Sequence, residues 1–312
     1  YEQKWERAEP LLEMLIRRVS QSREPQGLHE LYYKAGLVAE RLRKTDSALR
    51  HYRAAYELDA TDLETLEGLG RLLFEREDWD RAFKVYQTIL VHHRESLGDA
   101  RQVEVFHRLG VIKLKVGERA KAHQMFEKCL ELDPGHRPTL EALIDLHIKQ
   151  GDWERVVERK RSLIEHTEEA AEAFALLVEI GDIWREQLHD AAKAVGAYLE
   201  ALERRSDSKV VLTHLLRLYN ESQQWDQAVG VLERLIELEQ DVAKMAKLHN
   251  TVAVLYRDKL GNVPKAVEHF TACLKLEPGR LKAFEAVDRL LSQAKDWEGL
   301  ERSYRRMIKR VK

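Results

Sequence analysis

A pattern that returns about every 34 residues constrains this chain more than any other feature. Its unit is plain between Leu58 and Ala82. One helix is expected to end near Leu58–Ala60. The next is expected to start behind Thr61 or Asp62, whose side-chain oxygens suit the first orphan N–H groups of a helix. Leu66, Leu69, Leu72 and Leu73 follow at helical spacing. That helix is expected to end near Arg76. Asp78–Trp79 then opens a second helix carrying Ala82, Phe83, Tyr86 and Ile89. The pair is a helical hairpin, and the rest of the chain repeats it.

The copies align on a small residue of the second helix, with a bulky residue four positions later and a small or apolar one seven later. Ala48, Tyr52 and Ala55 fit, as do Ala82, Tyr86 and Ile89, and Ala122, Phe126 and Cys129. Ala194, Tyr198 and Ala201 follow, then Ala266, Phe270 and Cys273. Weaker copies sit at Val156/Leu163, Ala228/Leu232/Leu235 and Leu300/Tyr304/Met307. Gly36, Gly70 and Gly110 each lie twelve residues before the small residue, and Gly181 lies thirteen before. Pro134 and Pro278 close two copies. A hairpin of this kind cannot bury its faces alone, so stacked neighbours must supply a continuous core.

These residues resemble the tetratricopeptide repeat (TPR) family. Its pattern is a bulky residue, Leu, Gly and Tyr on the first helix, then Ala, Phe and Ala on the second, then Pro. Phe106, Leu109, Gly110, Ala122, Phe126 and Pro134 match it, as do Tyr32, Gly36, Ala48, Tyr52 and Ala55. The resemblance covers about 290 of the 312 residues. It implies an all-α fold, an α-solenoid of helical hairpins wound as a right-handed superhelix with a concave groove. Residues 1–24 are read as the second helix of a preceding partial repeat and a linker, with Pro10 as a possible kink, and 25–312 as the array. The expected repeats are 29–62, 63–96, 103–136, 137–170, 174–208, 209–242, 246–280 and 281–312. Residues 21–27 form the one linker with breaker composition, and a second extra stretch surrounds Gly98. Repeats four, six and eight lack the glycine, which makes their helix packing the least certain.

A longer period hides in the short one. Trp5, Trp79, Trp153, Trp225 and Trp297 recur every 72–74 residues at the start of second helices. The segments beginning at 185 and 257 are close copies of each other, each with one extra turn residue. The array therefore grew by duplicating pairs of repeats. The tryptophans are read as wedges between helices rather than ligand-stacking groups.

Little else points to chemistry. Charged residues make up 34% of the chain and the net charge is −2, which offers no attraction to a nucleic-acid backbone. No apolar run approaches the roughly 18 residues a membrane span needs. No signal peptide, phosphate loop, nucleotide fingerprint or nucleophile elbow is present. The 13 histidines show no metal-ligand spacing. Cys129 and Cys273 occupy one repeat position four repeats apart and are expected buried and reduced. No catalytic residue, metal or cofactor is expected. The opening inside a helical pattern is read as a fragment of something longer, with a cytoplasmic location as the default.

In the family, first-helix positions 2, 5, 9 and 12 line the groove, and their spacing puts them on one helix face. The first five repeats place eight acids there, among them Glu64, Glu67, Glu104, Glu141 and Asp145, against two bases. The last three place Arg217, Lys247, Arg257, Lys282 and Arg289 there against Glu285, with the amides of Asn220 and Asn250 beside them. A two-signed wall fits a protein or peptide segment, with acids meeting the basic half and bases the acidic half. The set of Lys, Asn, Asn, Lys and Arg that holds chaperone tails in the family is incomplete in every triplet of repeats. Arg217, Thr251 and Lys282 come nearest, but Thr213 and Ala286 break it. The expectation is thus a non-catalytic interaction scaffold without membrane insertion or nucleic acid. The alternative is a regulatory or spacer arm of a larger enzyme or assembly. Self-association through terminal residues such as Trp5, Leu12, Tyr304 and Met307 is a third reading.

The alanine of the second helix lets two helices approach closely. Ala122→Leu is therefore expected to cost about 1–3 kcal/mol. Urea denaturation of the two chains measures the difference.

Overall fold

The computed structural model describes residues 2–22 and 26–311. Tyr1, Lys312 and positions 23–25 of the expected linker lie outside the described residues. The chain divides into two compact units, Tyr1–His166 and Thr167–Lys312. The described residues are all-α. Unit 1 holds α1 (Glu2–Ser20), α2 (Leu28–Arg41), α3 (Thr45–Leu58), α4 (Leu63–Glu75), α5 (Trp79–His93), α6 (Asp99–Lys115), α7 (Arg119–Leu132), α8 (Arg137–Gln150) and α9 (Trp153–Glu165). Unit 2 holds α10 (Ala170–Glu186), α11 (Ala191–Arg204), α12 (Lys209–Glu221), α13 (Trp225–Leu238), α14 (Val242–Asp258), α15 (Val263–Leu276), α16 (Leu281–Gln293) and α17 (Trp297–Val311). In each unit even-numbered and following odd-numbered helices pair as hairpins, and each hairpin packs on the next. α1 runs unbroken through Pro10 and packs Leu12, Ile16 and Val19 against Leu28 and Ala35 of α2.

Local chemistry sets the helix ends. The Asp62 carboxylate accepts from the Thr65 N–H at 2.9 Å, so Asp62 caps α4, while the Thr61 hydroxyl donates to Asp59. Asp78, Asp152, Asp190 and Asn262 cap second helices in the same way. Six hairpin turns close with an N–H bonded to the carbonyl five residues earlier, as from Asp78 to Leu73 and from Glu118 to Lys113. That closure needs a left-handed residue just before the donor. Gly117 and Gly151 supply it freely, whereas Glu77 and Gln223 adopt it with φ of 59° and 57°. The α10–α11 and α14–α15 turns carry the extra residue, and there Asp190 and Asn262 reach the carbonyls of Trp184 and Tyr256 six residues back.

Three first helices start earlier than the repeat pattern implies. α6, α10 and α14 each run 17 residues, from Asp99, Ala170 and Val242. The stretch around Gly98 is therefore an added helical turn with Gly98 at its N-cap. Asp241 does the same for α14, accepting from the N–H groups of Ala243 and Lys244.

The core is built from small residues facing rings. Ala48, Ala82, Ala122, Ala194, Ala228 and Ala266 are fully buried, and so are Tyr52, Phe126, Tyr198 and Cys129. A Cβ placed on Gly36 would meet the Tyr52 ring at 2.7 Å, and one on Gly68 of α4 would meet the same ring at 2.7 Å. The ring of α3 is thus held between glycines of two successive first helices. Gly110 sits on Phe126 and Gly181 on Tyr198 in the same way. Trp79 closes the α4–α5 turn edge-on to Phe74, with ring centroids 5.4 Å apart, as a wedge against the core. Trp297 of the final hairpin is 62% exposed.

Histidines fill several seams. The His107 Nδ1 lies 2.9 Å from the Thr139 hydroxyl, which also meets His136 Nδ1 at 2.7 Å and Cys129 Sγ at 3.1 Å. Burial, then the neighbouring His136, pushes His107 down to about 4. Burial likewise lowers His51 and His147 in unit 1 and His214, His249 and His269 in unit 2.

Two outcomes follow from this packing. Gly36→Ala gains about 1 kcal/mol of helix propensity but drives a methyl into a fully buried ring. Because Tyr52 has no room to move, the net effect is a loss of about 1–3 kcal/mol, read from thermal melts. The histidines, held below their ordinary value near 6.5, leave the folded chain with fewer bound protons than the unfolded chain. Their contribution is fully present above pH 6.5 and is lost as pH falls toward about 4 for His107. Melting temperatures should drop through that window, and His107→Gln should flatten part of the slope. A melting temperature constant from pH 7 to pH 4.5 would contradict this account.

Candidate functional site

One face of the first helices is the wall on which recognition was expected. In unit 1, α4 presents Glu64, Glu67, Arg71 and Phe74, α6 presents Glu104, His107, Val111 and Leu114, and α8 presents Glu141 and Asp145. Two hollows lie along it. One of about 200 Å³, between α2 and α4, is lined by Tyr33, Leu37, Glu64, Glu67 and Arg71. The next, about 330 Å³ between α4 and α6, is lined by Glu67, Arg71, Arg101, Glu104 and Arg108. The fold therefore brings Glu64, Glu67 and Glu104 together, while Glu141 and Asp145 stand further along on α8.

Most acids of this wall are already paired. Glu40 is largely buried. It accepts from the Tyr52 hydroxyl at 2.7 Å and takes both amino ends of Arg71, at 2.6 and 2.8 Å. It is a packing residue that locks α2, α3 and α4 together. Glu67 faces Arg101 at 3.6 Å, Glu104 pairs with Arg108, and Arg137 donates to Glu141 at 2.8 Å. Glu30 is held below the usual carboxylate range by a hydrogen bond from Lys34. Glu64 and Asp145 are exposed and make no ion pair or hydrogen bond with the described residues. Arg101 and Arg108 escape a count confined to four positions per helix. The four-residue spacing of Glu104 and Arg108 was the available signal.

Unit 2 differs. On α12, Arg217 donates to Glu221 at 2.8 Å, four residues on. On α14, Arg257 donates to the neighbouring Asp258 at 2.6 Å and holds that carboxyl below its usual range. Lys247 of α14 and Lys282 and Arg289 of α16 are exposed and carry no ion pair with the described residues. Glu285 shares their face but pairs with neither. The side-chain amides of Asn220 and Asn250 also have no partner among the described residues, so each can offer both a donor and an acceptor. Leu216 of α12 packs in the clusters that hold Leu248 and Leu255 of α14 and Phe284 of α16, which keeps these helices in step. Asp182 of α10 repeats the role of Glu40, accepting from the Tyr198 hydroxyl at 2.7 Å and from Arg185 at 2.9 Å.

No group of three or more His, Cys, Asp or Glu among the described residues is arranged to hold a metal ion. No helix among them is long and apolar enough to cross a membrane. Cys129 and Cys273 are buried free thiols whose pKa values burial raises. The arrangement offers charges, amides and shallow hollows along successive helices.

Residues 62–134 match a tetratricopeptide-repeat family model, and further models of the same repeat match 29–62 and 211–246. The type IV pilus assembly protein PilF of Pseudomonas aeruginosa is 28% identical over 102 residues, 33% of this chain. The matched stretch spans only 39% of that relative's length. A tetratricopeptide repeat protein from Parabacteroides merdae superposes with a TM-score of 0.44 at 15% identity, over 91% of each chain. The TPR2AB domain of yeast Sti1, in a complex with pHSP90, gives 0.41 at 19% identity, over 86% of this chain and 99% of that one. Hairpins that close a small residue on a ring recur in both units, and three separate stretches match the same repeat, so this chain belongs to the tetratricopeptide-repeat family.

Proposed function

We propose that this protein is a non-catalytic scaffold that holds extended protein segments on the wall formed by its first helices. Tetratricopeptide-repeat proteins generally serve as protein-interaction scaffolds. The observation that carries the reading here is the set Lys247, Lys282 and Arg289. These three exposed cations have no ionic partner among the described residues, on a wall where Arg217 and Arg257 are both tied to carboxylates. A cation already paired on its own helix has little to offer an incoming acid, because the new pair only replaces the old one. An unpaired cation gains the full Coulomb term and steers the encounter.

The unit 2 wall therefore takes a segment rich in Asp and Glu, with Lys247, Lys282 and Arg289 meeting its carboxylates. Asn220 and Asn250 grip its backbone N–H and C=O groups. Arg217 and Arg257 contribute less, since each must first release Glu221 or Asp258. The unit 1 wall, with Glu64 and Asp145 open and Glu67, Glu104 and Glu141 paired, takes basic residues more weakly.

Affinity capture from the native cell's lysate tests this directly, with wild type beside Lys247→Glu/Lys282→Glu/Arg289→Glu. The triple variant should lose its acidic partner, with affinity down by about tenfold or more, equivalent to at least 1.4 kcal/mol. Arg217→Gln/Arg257→Gln should change it far less. An unchanged partner set with unchanged salt dependence in the triple variant would place recognition elsewhere.

A further inference from the structure

A further hollow of unit 1 lies on the other side of α6 from the wall. It is a trough of about 510 Å³ where α5 and α7 flank α6, and that volume falls within the usual range of ligand sites. Phe83 and Val91 of α5, Phe106 of α6 and Met125 of α7 form its apolar part. Val91 is 70% exposed, an unusual position for a valine between helices. Phe106 and Lys113 face away from Glu104, because residues two and nine positions on from it point to roughly the opposite side of a helix.

The charged residues of the trough's lining are all cations, beside the neutral Gln87 and Gln124. Arg94, Lys113, Lys121 and Lys128 line it, and no carboxylate does. Lys113 and Lys121 share Glu118, at 3.0 and 2.5 Å. Arg94 and Lys128 have no ionic partner among the described residues and stand 5.9 and 5.8 Å from the centre of the Phe106 ring, over the apolar floor. This local excess of positive charge occurs in a chain whose net charge is −2.

We propose that this trough is a second docking site, for an acidic protein segment that presents a bulky apolar side chain between carboxylates. The apolar side chain packs on the partly exposed Phe83 and Met125 and shields Val91 from water, while flanking carboxylates meet Arg94 and Lys128. The trough is open to solvent along the helices, so a bound segment can keep its backbone in water while its side chains enter. A free acyl chain would leave much of its length exposed there. The proposal rests on the protein-binding reading for the class of ligand, but it uses a different face and different residues.

The test uses the full chain and a fluorescein-labelled peptide, acetyl-DEFLEDLD, followed by fluorescence anisotropy. Three controls accompany it: the same peptide with Phe and Leu replaced by Ser, a charge-inverted KRFLKRLK peptide, and laurate as competitor. Wild type should bind the first peptide, and both peptide controls should bind at least about tenfold more weakly. In the Lys247→Glu/Lys282→Glu/Arg289→Glu background, which removes the wall's free cations, Arg94→Glu/Lys128→Glu should weaken binding by about tenfold or more, through lost attraction and added repulsion. Val91→Asp, a change at an exposed position, should do so independently. Lys247→Glu/Lys282→Glu/Arg289→Glu should retain the trough's share of the binding. Circular dichroism melts establish that each variant is folded. Binding unaltered in both trough variants, binding lost only in the triple wall variant, no peptide binding up to about 1 mM, or a trough that takes laurate but not the peptide would each overturn the proposal. If the wall reading fails, lysate capture is unchanged in the triple wall variant. If this one fails, peptide affinity is unchanged in the trough variants.

Discussion

The contact on which the rest of the structure depends is a ring seated on a glycine. Tyr52 of α3 fills the space above Gly36 of α2 and Gly68 of α4, and its hydroxyl ends on Glu40, which in turn holds Arg71. One side chain thereby sets how close two helices of a hairpin come and where the next hairpin begins. Phe126 on Gly110 and Tyr198 on Gly181 repeat the arrangement. Interiors pack at crystal-like density, so such a seat leaves no slack for a methyl group. Where the glycine is absent the solution changes. In α16 the position is Asp288, and Tyr304 of α17 turns outward to donate to it at 2.9 Å while remaining 44% exposed. In α12 the position is Leu216, facing Leu232, and aliphatic packing replaces the ring. The hairpins without glycine still form, because hydrophobic closure tolerates several volumes once the pattern of small and large residues is kept.

That seat also decides what the wall can do. Because first helices recur at one spacing, charges three and four residues apart on each helix fall beside charges of the next. Close neighbours of opposite sign then pair, as Glu67 with Arg101 and Glu40 with Arg71. Such pairs hold a surface together weakly and leave little field outside it, since the median exposed pair contributes about 0–1 kcal/mol and is screened by salt. What remains available for recognition is the residue left out of pairing. Glu64 and Asp145 in unit 1 and Lys247, Lys282 and Arg289 in unit 2 are such residues. The contrast between the walls is therefore less a matter of total charge than of which charges are already satisfied.

Much of this was legible in the residues alone. The hairpin repeat, the small and aromatic positions and the second helices opening at Trp79, Trp153, Trp225 and Trp297 follow from spacing, because buried faces must recur every turn of a helix. Three things were not. The added turns at the starts of α10 and α14 carry no breaker to mark them, Gly98 marks the extra stretch before α6 without showing that it is helical, and a cap such as Asp241 is recognisable only once the helix behind it is known. The burial of Glu40 depends on a ring twelve residues away and an arginine thirty-one residues away. The neutralisation of Glu67 depends on Arg101 in the next repeat, which a count of four positions per helix passes over. Pairing across repeats is a property of geometry, and residue composition at single positions does not contain it.

The two faces of α6 differ in how far their charges are satisfied. α6 presents Glu104 and Arg108 on one side and Phe106, Leu109 and Lys113 on the other. On the wall side its charges are matched: Arg108 takes Glu104 and lies over Phe74 and Tyr86. On the trough side Arg94 and Lys128 lie over Phe106 with no ion pair to a described carboxylate, and an exposed Val91 stands beside them. A cation near a ring face gains on the order of 0.5–1 kcal/mol when exposed, which orients it without neutralising it. The ring thus holds two positive charges at fixed positions above an apolar floor, and their charge stays free to meet a carboxylate. A helix whose two faces differ in this way can engage two segments at once, because neither set of side chains has to move for the other to be occupied.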